Sequence, residues 1–485
     1  MVRIQMKQDE KSTILTVDEM KSKITRQLNI LAVFSALCLF QNAGLRAQMA
    51  PPLSVQDSIQ KILKKATNLG SVMSVYNRRE NWQWYGTSGF LDTTFIATPT
   101  INSKFRIGSI TKTFVAVAIL KLVEKGILSL DDPIGKWLPA NIINNISNSP
   151  TEITIRKLLA HTSGLSNFGT PTSLTDSTKC SPQQLMLLDL SQINPPNSNI
   201  FKYSNGGYIM LSQIMEKATG LTYKQVIENE IIKPLGLSNT LVPTLDFIQG
   251  AHMTCWVQDP IAGLHDLTNI SVSCVRGDGD IISNTSDLIK FQNALIHTQI
   301  INAQSMNLMF TPVGAIQMAD SNIYPFLGYG LGYILWDYNQ RGHGGDLNNL
   351  SGLFWFNDID VCVCVNFNTE GNAMFMQNML MKPLYKYLKS ISVITEINLS
   401  QDSKMEINAY PNPTSAQTTL QIEKILKNGT LTVYNSLGQT VIQIKNISGQ
   451  TVTLHRDNLP SGLYFLLLTD DSETFLPIKL LVMDN

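Results

Sequence analysis

Ser109 and Lys112 stand three residues apart in Phe105-Arg-Ile-Gly-Ser-Ile-Thr-Lys-Thr-Phe114. A serine hydroxyl is a poor nucleophile until a base removes its proton. A lysine can be that base if burial and nearby positive charge lower its pKa from about 10.4. On a helix starting at the serine, the lysine lies on the same face one turn further on. The segment Phe114-Val-Ala-Val-Ala-Ile-Leu120 is apolar on all sides. That predicts a deeply buried helix, in which an unpaired lysine would be costly. Two more clusters share the chemistry-bearing pattern: Tyr203-Ser204-Asn205 before Gly206-Gly207, and His343-Gly344-Gly345 ahead of an apolar strand beginning at Leu353. Glycines at 344 and 345 allow a substrate to approach the strand backbone closely. The six histidines are scattered without metal-ligand spacing, so neither a metal nor another cofactor is expected.

The elements that must position these residues are legible in outline. A helix is predicted near Val55–Ala66, then strands near Ser71–Asn77 and Trp82–Phe90. The helix from Ser109 runs to Lys125 and ends at Gly126. Further helices are expected near Ile155–Leu159, Gly207–Thr219, Tyr223–Ile232 and Thr285–Ile296. Strands return near Gly328–Trp336 and Leu353–Asn366, and a terminal helix covers Met374–Lys389. Strands at both ends with helices between them predict an α/β (α+β) body, in which one sheet is built from the two chain ends around an inserted helical region.

With these motifs in place, residues 60 to 385 resemble the serine β-lactamase family, in the branch holding class C β-lactamases, D-alanyl-D-alanine carboxypeptidases and related esterases. Supporting stretches are Leu128-Ser-Leu-Asp-Asp-Pro133, Leu158-Leu-Ala-His-Thr-Ser-Gly-Leu165, Pro234-Leu-Gly-Leu237 and Gly279-Asp-Ile-Ile-Ser-Asn-Thr-Ser-Asp-Leu288. The resemblance implies that Ser109 is acylated by the substrate and that Lys112 and Tyr203 share the proton work. A tyrosine near pKa 10 serves as base only where cations stabilise its phenolate. Asn205 is expected to hydrogen-bond Lys112 and the substrate amide. His343 is expected to hold the polar end of the substrate, beside Gly344 and Gly345. The backbone N–H groups of Ser109 and Asp346 are the expected oxyanion donors, worth roughly 3 kcal/mol each. His161 is read as a local hydrogen-bonding residue, and Trp336 and Trp355 as core, with cleft lining the lesser reading.

The third motif departs from the Lys-Thr-Gly of class C β-lactamases. A lysine suits the carboxylate of a β-lactam, whereas a histidine is about half-charged or less at neutral pH. The expected function is therefore a serine hydrolase acting through an acyl-enzyme on peptide (D-Ala-D-Ala-like) or ester substrates. A class C-type β-lactamase and a non-catalytic penicillin-binding-like module are the alternatives. Selectivity would come from the loops over 166–196 and 258–275.

Composition narrows the class further. The 485 residues carry 37 Lys+Arg and 37 Asp+Glu, with 44% apolar residues. No long basic run marks a nucleic-acid partner. Cys38, Cys180, Cys255, Cys274, Cys362 and Cys364 show no framework spacing. A Cys255–Cys274 bridge is compatible with the spacing, and Cys362 and Cys364 read as small core residues.

The ends of the chain carry address-like features. Lys21, Lys23 and Arg26 precede an apolar run from Leu28 to Phe40, then small residues to Ala47. This reads as a signal peptide over 1–47, with Met20 an alternative start. No second apolar run of membrane length follows, so no transmembrane segment is expected in the mature chain. The body is assigned to 48–390 and a linker to 391–406. Six short alternating segments then predict a small β-sandwich over 407–485. Tyr410-Pro-Asn-Pro413, Val433-Tyr-Asn435 with Leu437-Gly438, and Leu459-Pro-Ser-Gly-Leu-Tyr464 resemble the C-terminal sorting domain of type IX secretion cargo in Bacteroidetes. That resemblance implies secretion machinery as a partner and a secreted or cell-surface location reached through the periplasm. A permanent adhesin module is the competing reading of this domain.

Overall fold

The computed structural model describes residues 49–140, 143, 151–167, 198–244, 247–259, 263–313, 326–336, 339–371, 373–397, 407–435, 439–457, 459–470, 473–474 and 478–484. The leader expected over 1–47 and most of the 166–196 loop lie outside these residues. Helix α1 (Leu53–Ala66) buries Ile59, Leu63 and Ala66, a stripe at helical spacing. Strands β1 (Gly70–Asn77) and β2 (Trp82–Gly89) follow, then the short β3 (Phe105–Arg106). A 3-10 turn, Gly108–Ile110, leads into α2 (Thr111–Glu124), ten of whose first residues, through Leu120, are buried. Gly126, with φ +70°, ends that run in the left-handed region. The helical insert continues with α3 (Ile155–Leu159), α4 (Asn205–Thr219) and α5 (Tyr223–Ile227). Helix α4 is capped by Ser204 and α5 by a reciprocal Thr222/Gln225 box.

The hairpin β4 (Trp256–Asp259) and β5 (Gly263–Asp266) comes next, then β6 (Ile282–Ser283), which pairs with β3. Helix α6 (Thr285–Ile296) takes its N-cap from Asn284, and α7 (Ala303–Phe310) from Asn302. The chain then returns through β7 (Gly328–Tyr329), β8 (Ile334–Leu335), β9 (Gln340–Asp346), β10 (Leu350–Phe356) and β11 (Val361–Phe367). These strands join β1 and β2 in one antiparallel sheet of order β2-β1-β11-β10-β9-β8-β7. The sheet is thus made by the two ends of the body around a helical insert, as the sequence pattern implied.

Strand β11 explains how the layers pack. Its Val361-Cys-Val-Cys-Val365 is buried at every position. Val361, Val363 and Val365 pack with α1 and the terminal helices, whereas Cys362 and Cys364 pack with Phe114 and Phe291. A strand covered on both faces reads as a continuous apolar run.

The structure redraws several elements. Gly328–Trp336 is a tight hairpin, not one strand, because Gly332 at φ +72° reverses the chain between β7 and β8. Leu353–Asn366 is likewise two strands, with Asp360 in the left-handed region at the turn. The hairpin β4–β5 and helix α7 were not anticipated. Cys255 is a free, buried thiol, so the bridge to Cys274 is not formed; Cys362 and Cys364 are also free and buried. The terminal helix passes through a π-helical turn at Gln377–Met381 and continues to Ile397, into the stretch read as linker.

The C-terminal strands are β12 (Ile407–Tyr410), β13 (Gln417–Tyr434), β14 (Thr440–His455), β15 (Gly462–Asp470), β16 (Glu473–Thr474) and β17 (Ile478–Val482). They form a six-stranded sandwich around its own core, which includes Leu420, Leu431, Leu454, Leu466 and Leu480. Four of the six short segments expected here are halves of two long strands. Register shifts between Gln421 and Leu431 bulge β13, and bulges break the alternation by which a strand is recognised. Among the described residues no helix is long and apolar enough to cross a membrane.

Candidate active site

The site lies where the first turn of α2 meets the outer edge of β9. Strand β8 pairs with β9 only at Arg341 and Gly342, so the edge from His343 to Asp346 faces the helix start. The approach is close enough to dictate glycines. A Cβ on Gly345 would stand 1.9 Å from the carbonyl oxygen of Ile107. Gly108 has φ +52°, and a Cβ there would stand 2.7 Å from the amide nitrogen of Asp346. Ser351 Oγ donates to the Ile107 carbonyl at 3.1 Å, and Asn349 Nδ2 to the Arg106 carbonyl at 2.9 Å, tying β10 to the same turn.

This packing orients two backbone donors. Leu350, opposite Asp346, sends its N–H to Thr369 on the β11 side. By antiparallel alternation, Asp346 keeps its own N–H on the outer edge, toward Gly108. The first N–H groups of a helix also lack intrahelical acceptors. The amides of Ser109 and Asp346 therefore flank one spot beside Ser109.

Lys112 is completely buried behind the serine. Its Nζ donates to Ser109 Oγ at 2.9 Å and to the Asp278 carbonyl at 2.8 Å. Burial brings its pKa down to about 8, against the opposing pull of the Asp278 carboxylate. Nζ lies 5.0 Å from the Tyr203 ring centroid and 5.6 Å from that of Tyr208. Tyr203 hydrogen-bonds Ser109, yet burial, helped by Asp278, holds its pKa above the ordinary phenol value. The condition for a phenolate base is not met, and Tyr203 stands as a neutral phenol able to donate. A neutral Lys112 is the group that can take the serine proton.

Two expected contacts differ. Asn205 does not bond Lys112. Its N–H donates to Asn167 Oδ1, while its own Oδ1 is buried without a hydrogen-bond partner. The Asp278 carbonyl occupies the lysine instead. His343 is 3% exposed. Its Nδ1 contacts the Gly344 carbonyl at 2.6 Å and its Nε2 the Tyr329 hydroxyl at 3.0 Å. A carbonyl only accepts, so Nδ1 carries a proton; in the neutral ring Nε2 is then an acceptor facing the Tyr329 hydroxyl. Burial brings the imidazole pKa down to about 3. His343 is neutral here and does not supply the partial charge expected from its reference pKa.

His161 sits under Tyr203, ring centroids 4.3 Å apart, and its Nδ1 accepts from the Ser204 amide. That is the local role expected of it. Trp355 donates to Asp360 and packs near Phe310. Trp336, by contrast, lines the cavity in front of Ser109. This cavity of about 310 Å³ is also lined by Tyr203, Phe326, Ile334, His343, Gly344, Gly345, Asp346, Leu350, Gly371, Ala373 and Met376.

The acidic pair Asp278 and Asp280 was missed. Both are buried. Asp278 Oδ2 stands 3.9 Å from Lys112 Nζ, and burial pushes its carboxyl up to about 7. Asp280 accepts from Tyr223 and from the Gly277 amide. The available signal was two acids spaced by glycine directly before the apolar pair Ile281-Ile282.

An antiparallel sheet built from both chain ends, with a serine–lysine pair opening the buried helix and a Gly-Gly strand edge beside it, defines the β-lactamase and transpeptidase class of fold. Comparison with known proteins makes this specific: the beta-lactamase family matches residues 55–383, and the chain belongs to that family, whose members are generally serine hydrolases. The secretion system C-terminal sorting domain matches residues 408–483, which marks the protein for export to the cell surface or the medium. Penicillin-binding protein 4* of Bacillus subtilis (strain 168) is 32% identical over 261 residues, covering 50% of this chain and 54% of that protein. The chain thus spans about half the length of the curated relatives it matches. A D-stereospecific amidohydrolase from Streptomyces sp. superposes with TM-score 0.58 at 27% identity, over 68% of this chain and 98% of that one. The D-amino acid amidase from Ochrobactrum anthropi SV3 shares the fold, with TM-score 0.61 at 22% identity, over 70% and 99% of the two chains.

Proposed function

We propose that this protein is an exported serine hydrolase that cleaves amide or ester bonds through an acyl-enzyme on Ser109. The observation that carries the reading is the Lys112–Ser109 contact of 2.9 Å, made by an ammonium wholly buried and shifted to about 8. At such a pKa about one lysine in ten is neutral at pH 7. The neutral amine accepts the Ser109 proton as Oγ attacks the carbonyl carbon. The N–H groups of Ser109 and Asp346 receive the charge that develops on the carbonyl oxygen. Lys112, now an ammonium, returns a proton to the leaving nitrogen or oxygen, with Tyr203 as the hydrogen-bonded relay. Water then enters by the same base and releases the acid.

Peptides and simple esters are the substrates this reading favours. The amidohydrolase named above supports amide cleavage by analogy of fold. Cephalosporinase-type turnover is the second reading, carried by the family match. It is weakened by the neutral, buried His343 standing where class C β-lactamases have lysine. The domain assignment proposed with this function is a leader over 1–47, a catalytic body over 48–390 extended by its terminal helix to Ile397, a linker over the rest of 391–406 and a sorting domain over 407–485.

A fluorophosphonate probe tests the proposal. The purified wild-type protein should be labelled once, and Ser109→Ala should not be labelled although it melts like the wild type. Turnover should fall by about 10³-fold or more, the usual cost of a lost nucleophile. Labelling that persists in Ser109→Ala would place the nucleophile elsewhere and remove the reading.

A further inference from the structure

Strand β8 pairs with β9 at Arg341 and Gly342 and not beyond. The alternation that turns the Asp346 N–H to the outer edge turns the Gly344 carbonyl there too, two residues earlier. In a longer ladder the next strand would donate to that carbonyl. Here Nδ1 of His343 meets it at 2.6 Å, so a side chain takes the place of the ladder partner. The contact falls in a stretch whose glycines, Gly344 and Gly345, restrict the backbone least.

The imidazole is itself held from behind. Its Nε2 stands 3.0 Å from the Tyr329 hydroxyl, and both residues are buried. Tyr329 reaches back into the helical insert. Its hydroxyl also meets that of Tyr208, and Tyr208 donates its own proton to the Leu159 carbonyl at 2.7 Å. The Tyr329 ring lies 4.7 Å from that of His161, the residue under Tyr203. The one phenol proton of Tyr329 therefore has two takers, Nε2 of His343 and the oxygen of Tyr208. Tyr208 is already bonded through its donated proton, whereas a buried imidazole nitrogen left without a donor is costly. Protonating Nε2 as well would bury a charge.

We propose, on the basis of the acyl-transfer reading above, that Tyr329 is a positioning residue: its hydroxyl donates to Nε2, holds His343 as the Nδ1–H tautomer, and so keeps the ring clamped on the Gly344 carbonyl and the Asp346 amide in place beside Ser109. Which imidazole nitrogen carries the proton is set by what the other one bonds. Without the phenol donor, Nε2 takes the ring proton. Nδ1 then faces the Gly344 carbonyl as acceptor against acceptor, and the two repel. The clamp opens two residues from the oxyanion donor. Tyr329 does not line the cavity, so its effect on the reaction passes through His343.

The test follows the ring nitrogens of His343 by nitrogen NMR near neutral pH, the signals being assigned by their absence in His343→Ala. Wild type should show Nδ1 protonated and Nε2 bare. Tyr329→Phe keeps the ring and loses the hydroxyl, and it should shift His343 toward the Nε2–H tautomer. On p-nitrophenyl butyrate its kcat should fall by about tenfold or more with KM little changed, as for a misplaced catalytic group. Added to His343→Ala, the same substitution should cost less than about twofold, because the route through the imidazole is already gone. Tyr208→Phe removes the rival acceptor and should leave the wild-type tautomer. A wild-type ring protonated on Nε2 overturns the inference whether or not any variant folds. So does a tautomer unshifted in folded Tyr329→Phe or shifted in Tyr208→Phe, or an equal loss from Tyr329→Phe with and without His343. If butyrate is cleaved and Ser109 is labelled, such a result removes this inference alone. If neither occurs in the wild type, the acyl-transfer reading itself falls.

Discussion

Lys112 Nζ donates to the main-chain carbonyl of Asp278 at 2.8 Å, while the carboxylate of that residue stands 3.9 Å from the same nitrogen. One residue therefore positions the lysine through its backbone and opposes the loss of its charge through its side chain. Burial lowers the lysine pKa and Asp278 raises it.

This relationship sets a pH dependence. Lys112 must be neutral to act as base, so kcat/KM should rise with pH and level off above about 8. Removing the carboxylate in Asp278→Asn removes the influence that raises the lysine pKa. The acidic limb of the profile should then move to lower pH, while the main-chain contact survives. A profile unmoved in Asp278→Asn would mean that the carboxyl is protonated or screened throughout.

Tyr203→Phe removes the hydroxyl that hydrogen-bonds Ser109 and keeps the ring beside His161. We expect kcat to fall by about 10²-fold or more, the range for a lost proton-transfer partner, with KM little changed. Slow labelling of Ser109 should persist. Steady-state kinetics on one ester substrate decides it, and a wild-type kcat would make Tyr203 structural.

Gly345→Ala places a methyl carbon against the Ile107 carbonyl at a nominal 1.9 Å. The strand edge must move away from the helix start, carrying the Asp346 amide with it. Under the proposed mechanism that amide is an oxyanion donor, so its displacement predicts a loss in kcat of about 10²-fold or more. The melting temperature should drop as for an overpacking change of about 1–3 kcal/mol. Thermal melts and kcat measured on one preparation check both.

His343→Lys is expected to destabilise the protein without creating β-lactamase activity. The new cation would be buried, and the Tyr329 hydroxyl would lose its acceptor. Titration of the wild-type imidazole by NMR should show no transition between pH 5 and 8, because burial holds its pKa at about 3. A transition near the reference of about 6.5 would restore the charged-histidine reading.

Deleting residues 407–485 should leave an active enzyme retained in the periplasm, if the sorting domain is the export address. Cell fractionation with the fluorophosphonate probe reads both location and activity. Normal release of the truncated protein would return this domain to an adhesin role.

The order of the main elements, the sheet shared by the two chain ends and the Ser109–Lys112 pair were legible in the amino-acid sequence. Those features rest on local periodicity and short spacing, which survive without coordinates. The run Phe114–Leu120 announced burial because no face of it is polar, and the fold buries it. The small sandwich was legible as a class, but its long strands were not, because bulges interrupt the alternation. The electrical state of the site was not legible there and follows from the assembled fold. Asp278 is 166 residues from Lys112 in the chain, and His343 becomes neutral because Tyr329 and the surrounding core exclude water from it. A reference pKa describes a solvated side chain. Desolvation and distant partners set the actual one, and both depend on which segments the fold brings together.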